Sequence, residues 1–406
     1  MKALDADSQA IALLCSSLAI PRGSTLKPLT PTEWNGIAQL IRDSEMPRPG
    51  ALLGRTADDL ATVLSLPANT AHRLADLLGR GGQLALELER LSNRGIWLLT
   101  RNDDEYPSKL RQRLGSGAPP LLFGAGSRSL LSRAGAAVVG SRNVDEDGLS
   151  FAAALARRCA RDGLTVFSGG ARGVDMAAML AAIEAGGSAV GVLADSLERL
   201  AQRRELRGPL IEESLAIISP FHPSVPFNVG NAMRRNRLIY CLADAAVVVA
   251  SDAEGGGTRA GALENLKRRW VPLHVRADGS PGNADLLCYG AVGITDETLS
   301  SEEPLRFGEN ERLPPSLFAS DAADADHGRA DLQPQQDPYH LVWPLLQPFL
   351  SEPRTAAEVG KAFALELPQA RKWLKRATEE GAVVRIGNGN QTLEAHGQPR
   401  LWESKP

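Results

Sequence analysis

Three glycine-containing stretches carry residue types suited to holding an anion: VGSRN (139–143), SGGARGVD (168–175) and EGGGTRAG (254–261). Glycine lets backbone N–H groups approach an oxyanion closely, and a helix that starts just after such a loop offers unpaired N–H donors. The first stretch holds Gly140, Ser141 and Arg142. The second holds Ser168, Gly169, Gly170, Arg172, Gly173 and Asp175, and the third Gly256, Gly257 and Thr258. The hydroxyls of Ser141, Ser168 and Thr258 add donors, and the guanidiniums of Arg142 and Arg172 add charge. A fourth stretch, AMRRNRLIY (232–240), brings Arg234, Arg235 and Arg237 beside Asn236. On a helix, positions 234 and 237 share a face and 235 lies about 100° away. By itself such a triplet is an ordinary solvated helix face.

These loops match no common nucleotide signature. The second lacks GxGxxG, and GxxxxGKS or GxxxxGKT occurs nowhere, which excludes P-loop chemistry. Asp175 has two readings: it binds a ribose hydroxyl or a phosphate-bound cation, or it orients loop N–H groups at the start of a helix.

The elements around these loops alternate. Apolar, β-branched runs predict strands at 136–140, 164–168, 188–194, 215–219, 245–251 and a last one at 271–275. Helical patterns fill 149–163, 173–187, 229–243 and 258–269. Repeated strand–helix units of this kind predict an α/β fold, a Rossmann-like doubly wound parallel sheet covered on both faces. Parallel strands put the three loops on one edge, where ligands bind in open α/β sheets. The segment 134–276 has a formal charge of only +2, so any positive field is local to that edge.

The 406-residue chain has room for more than this sheet. Residues 1–100 read as an N-terminal helical domain, with Trp34, Ile37, Leu40 and Ile41 on one face of a helix and Pro67 and Gly81–Gly82 as breaks. The α/β domain is expected over 101–299. A linker over 300–336 loses periodicity and is rich in acids and proline. A small unit over 337–396 shows three helical patterns and then strand, Gly/Asn turn and strand, the order of a winged helix. Arg371, Lys372, Lys375 and Arg376 lie on its third helix, either to touch DNA or as a solvated face. The four cysteines are widely spaced without CxxC, and the six histidines form no metal-binding pair, so reduced thiols, no metal and no cofactor are expected. No long apolar run and no signal-peptide pattern occur, which predicts a cytoplasmic protein without membrane contact.

With these pieces in order, residues from about 60 to 395 resemble the DNA-processing protein A (DprA, or Smf) family. The resemblance rests on DDEYPSKLRQRLGSGAPPLLFGAG (103–126), VVGSRN, SGGARGVDMAAMLAAIEAGG and RRNRLI, together with the flanking helical and winged-helix units. It implies a protein without a chemical step that binds single-stranded DNA and helps load the RecA recombinase, in recombination and natural transformation. It also implies a homodimer. Carried onto this chain, Arg142 and the arginines of RRNR contact phosphate, while Gly140, Ser141, Ser168, Gly169 and Gly170 shape the pocket.

Two motifs depart from the family. FNVGNAMRRNRLIYCLAD (227–244) replaces FPxRNRIIAGLS, and GGGTRAGALENL (255–266) replaces SGSLxTA. Both variants are similar to the LOG proteins of the same superfamily, some of which cleave nucleoside monophosphates at PGGxGTxxE. The alternative reading is therefore a nucleotide ligand, sensed or hydrolysed, with anti-phage defence as the setting and Glu254 and Glu264 as the nearby carboxylates. Against hydrolysis, the residue three after Thr258 is Gly261, and Glu264 stands one helical turn further on.

Overall fold

In the computed structural model the sheet has nine strands. The structure describes residues 4–21, 23–253, 255–305 and 307, and beyond them 346, 349–350, 354–362, 367–379, 383–386 and 389–392. The strands are β1 (Ile96–Thr100), β2 (Leu121–Gly126), β3 (Gly135–Val139), β4 (Thr165–Ser168), β5 (Ala189–Val192), β6 (Leu215–Ser219), β7 (Ala245–Val248), β8 (Leu273–Arg276) and β9 (Val292–Ile294). Their spatial order is β1-β2-β6-β5-β4-β3-β7-β8-β9. From β6 to β9 all neighbours are parallel, with Val138 opposite Val247 and Phe167 opposite Val190. The fold is the expected Rossmann-like α/β class.

Three details differ from the expectation. The sheet is mixed, because β2 pairs antiparallel with both β1 and β6. β1 falls in a stretch read as helical, and its five residues are all buried. A short run buried on both faces has no alternation, so periodicity cannot separate strand from helix there. Likewise β8 is not the last strand: the helix Pro281–Cys288 leads to β9, three residues long with a central glycine.

Side-chain alternation divides each inner strand between two cores. Ala136, Val138 and Val166 enter one, while Ala137, Val139 and Phe167 enter the other. Ile11, Leu74 and Leu91 of the N-terminal helices share the first core with the sheet. The crossover helices carry their own start signals. Asp145 caps the helix Glu146–Arg161 by accepting from the Gly148 N–H, with Glu146 and Asp147 in the first turn and Arg158 and Arg161 in the last. That arrangement opposes charge to the helix dipole at both ends. Asn228 caps the helix Val229–Leu242 through the Asn231 N–H.

The chain divides into two compact units, 1–320 and 321–406. In the second, the helices Ala356–Ala362 and Leu367–Glu379 precede an antiparallel hairpin of β10 (Val383–Ile386) and β11 (Gly389–Thr392). Val359, Ala370, Trp373, Leu374 and Val383 form its core. The helical pattern expected at 338–350 lies mostly outside the described residues, as does the 300–336 stretch beyond 307. Among the described residues no helix is long and apolar enough to cross a membrane.

Candidate phosphate-binding site

The chain leaves β3 and β4 through two glycine loops that touch backbone to backbone. A Cβ on Gly173, whose φ is +88°, would lie 2.7 Å from the Ser141 carbonyl oxygen and 2.9 Å from that of Arg142. Only a residue without a side chain allows both the left-handed backbone and that approach. Gly140 meets the second loop in the same way, since a Cβ there would lie 2.6 Å from Cγ2 of Val174. The Ser141 N–H donates to the Ala250 carbonyl at 3.0 Å, tying the first loop to the end of β7.

Two of the predicted polar residues serve the scaffold. Ser168 is fully buried and donates its hydroxyl to the Val138 carbonyl at 2.6 Å, bridging β4 to β3. Asp175 is buried and accepts from the Ala171 N–H at 3.4 Å, holding the second loop against the start of its own helix. Burial pushes its carboxyl above the usual range, and the charge of Arg235 pulls it back.

Arg235 reaches the same place from the helix Val229–Leu242. It is 5% exposed, and its Nε has no hydrogen-bond partner. Its Nη1 and the Oδ2 of Asp175 converge on Gly169, where a Cβ would collide with both. Burial lowers the guanidinium's affinity for its proton, and Asp175 raises it. A guanidinium stays charged through such a shift. A buried cation with an unfilled donor is costly unless an anion reaches it.

These groups border a cavity of about 270 Å³ at the carboxyl ends of β3, β4 and β5. Five arginines line it, Arg142, Arg172, Arg199, Arg203 and Arg235, against one carboxylate, Asp195. Arg199 pairs with Asp195 at 3.7 Å, and Arg172 donates weakly to Asn143 at 3.4 Å. Arg142 lies over the ring of Phe227, its guanidinium carbon 4.9 Å from the ring centroid. That ring is 46% exposed, so the cavity has an aromatic face as well as charge.

Arg142, Gly169, Gly170, Arg172 and Arg235 are thus brought together, and Gly140, Ser141, Ser168, Gly173 and Asp175 shape the loops behind them. The third loop stands apart, and Gly256, Gly257 and Thr258 do not line the cavity. Asn236 instead donates to the Gly257 carbonyl at 3.1 Å and holds that loop to the arginine helix. Arg234 and Arg237 face a different cavity. Glu264 does not line the arginine cavity; burial raises its carboxyl and Arg237 lowers it. Glu254 lies outside the described residues.

Sequence reasoning missed Arg199 and Arg203. Arg199 lies on the helix Leu197–Ala201 and Arg203 directly precedes the helix Arg204–Ile211, in a stretch where the sequence pattern predicts neither strand nor helix. A signal was present: LERLAQRRELR (197–207) places four arginines shortly after a strand end. Of the aromatics near the loops, Phe167 and Tyr240 are core, whereas Phe221 and Phe227 line cavities.

Residues 97–302 match the family of DNA recombination-mediator protein A. Protein Smf of Escherichia coli is 32% identical over 216 residues, which cover 52% of this chain and 57% of that protein. A DNA processing protein, DprA, of Mycobacterium tuberculosis is 32% identical over 231 residues, covering 52% of this chain and 58% of the relative. The chain therefore spans little more than half the length of these curated relatives. The X-ray structure of DNA processing protein A from Streptococcus pneumoniae superposes with a TM-score of 0.53 at 20% identity, covering 75% of this chain and all of that one. The two share a fold.

Proposed function

This chain belongs to the DNA recombination-mediator protein A family, and from that premise we propose that it binds single-stranded DNA by its phosphate backbone at the arginine cavity, without catalysing a chemical step. The observation that carries the reading is the charge balance there: five guanidiniums face one carboxylate, and the buried Arg235 keeps an unfilled donor. Phosphates fill such donors, and the counterions they release make the affinity steeply salt-dependent. Phe227 adds a surface on which any base stacks, which supports binding with little sequence preference. The family's role as recombination mediator supports a part in recombination and transformation, with RecA loading as the step served. Binding as a homodimer, two cavities holding one strand, would add to an otherwise small contact. In the second unit, the helix pair with its hairpin supports a winged helix that touches DNA or protein.

The test is a fluorescence-anisotropy titration with oligothymidylate and with duplex of the same length, at low and moderate salt. Tighter binding of the single strand that weakens steeply with salt is expected. Equal, salt-independent affinity for both would refute the reading.

A further inference from the structure

The helix Val229–Leu242 separates the arginine cavity from a second one of about 270 Å³, also within the unit 1–320. Its walls are of two kinds. Pro119, Pro120 and the ring of Phe221 supply flat apolar surface, and Arg234 and Arg237 supply charge from the helix. No carboxylate occurs among its described lining residues. The Arg237 Nε, buried, has no hydrogen-bond partner. Arg234 is exposed and lies over Phe221, 5.4 Å from the ring centroid.

This repeats the arrangement on the other flank, where Arg142 lies over Phe227. The two rings belong to one connection between β6 and the helix, and Arg234 and Arg235 are consecutive residues sent to opposite cavities. A helix is about 10–12 Å across with its side chains, so one flexible strand can engage both flanks. Flat apolar walls with two guanidiniums and no competing acid fit an aromatic base that carries a phosphate.

We propose that the Phe221–Arg234–Arg237 cavity is a second nucleotide subsite, taking a further base and phosphate of the strand held at the arginine cavity. The proposal rests on the single-strand reading above.

Labelled oligothymidylates of about 2 and about 16 nucleotides test it by anisotropy, because the one backbone step of the shorter is less than the width of the helix and only the longer can span both cavities. The parent protein gains affinity with length. Phe221→Ala and Arg234→Ala should each cut that gain about tenfold, with melting temperatures near the parent's, and Arg234→Lys should restore part of it. Arg142→Ala should weaken binding at both lengths. A full length-dependent gain in the folded Phe221 and Arg234 variants, with Arg142→Ala still weakened, overturns the second subsite and leaves the first reading standing. Parent affinity of Arg142→Ala at both lengths sinks the first cavity, and the second subsite with it. AMP binding that Phe221→Ala abolishes, with no change for either oligomer, would make the cavity a mononucleotide pocket and overturn the strand subsite.

Discussion

The guanidinium of Arg235 occupies the space that a side chain at Gly169 would need. A Cβ there would collide with Nη1 of Arg235 and with the Oδ2 of Asp175 that approaches it from the other side. The glycine after β4 is therefore tied to a residue 66 positions later, in the helix Val229–Leu242. Gly169→Ala should displace that buried cation. We expect overpacking to cost about 1–3 kcal/mol in urea unfolding, together with a loss of single-strand affinity. An alanine variant with parent stability and parent affinity would show that Arg235 moves aside freely.

Arg142 is exposed and stacks on an exposed ring, so its removal should spare the fold. Arg142→Ala should weaken oligothymidylate binding about tenfold and reduce the salt slope by about 1. Arg235→Ala is the contrasting case. It leaves Asp175 buried without its neighbouring charge, so a stability loss of about 3 kcal/mol or more should accompany the loss of affinity. Anisotropy at several salt concentrations and a denaturation curve separate the two behaviours.

Arg199 and Arg203 expose 75% and 49% of their side chains. The double change to alanine should leave unfolding within about 0.5 kcal/mol of the parent. It should nevertheless weaken single-strand binding, because two of the five cavity guanidiniums are gone. Unchanged affinity at low salt would confine the contact to Arg142, Arg172 and Arg235.

His274 offers a pH test of the scaffold away from the site. Burial, partly opposed by the Ala246 backbone, depresses its imidazole from 6.5 to about 4, and its ring packs edge-on against Phe307 at 5.1 Å. Between those two values the unfolded chain binds the extra proton and the folded chain does not. Stability is therefore lost as pH falls below about 6.5, by about 3 kcal/mol in all, with no further loss from this group below about 4. His274→Phe should flatten that part of the curve. A parent protein equally stable at about pH 7 and about pH 5 would contradict it.

Local residue patterns were enough to place the strand–loop–helix units that carry the loops. An apolar run, a glycine and a capped helix are local signals, read within about ten residues of one another. VGSRN and SGGARGVD could be placed at strand ends for that reason, and Arg142 and Arg172 with them. Which groups share a cavity was set by the packing of the folded chain. It buried Arg235 against Gly169 and Asp175, turned Arg234 and Arg237 to the other flank, and set the third loop on Asn236 rather than on the cavity. It also brought in Arg199 and Arg203 and added the antiparallel β1 and β2 to the sheet edge. Each of these depends on contacts between residues far apart in the chain. Such contacts follow from how whole elements pack, and a local pattern of residue types carries no record of them.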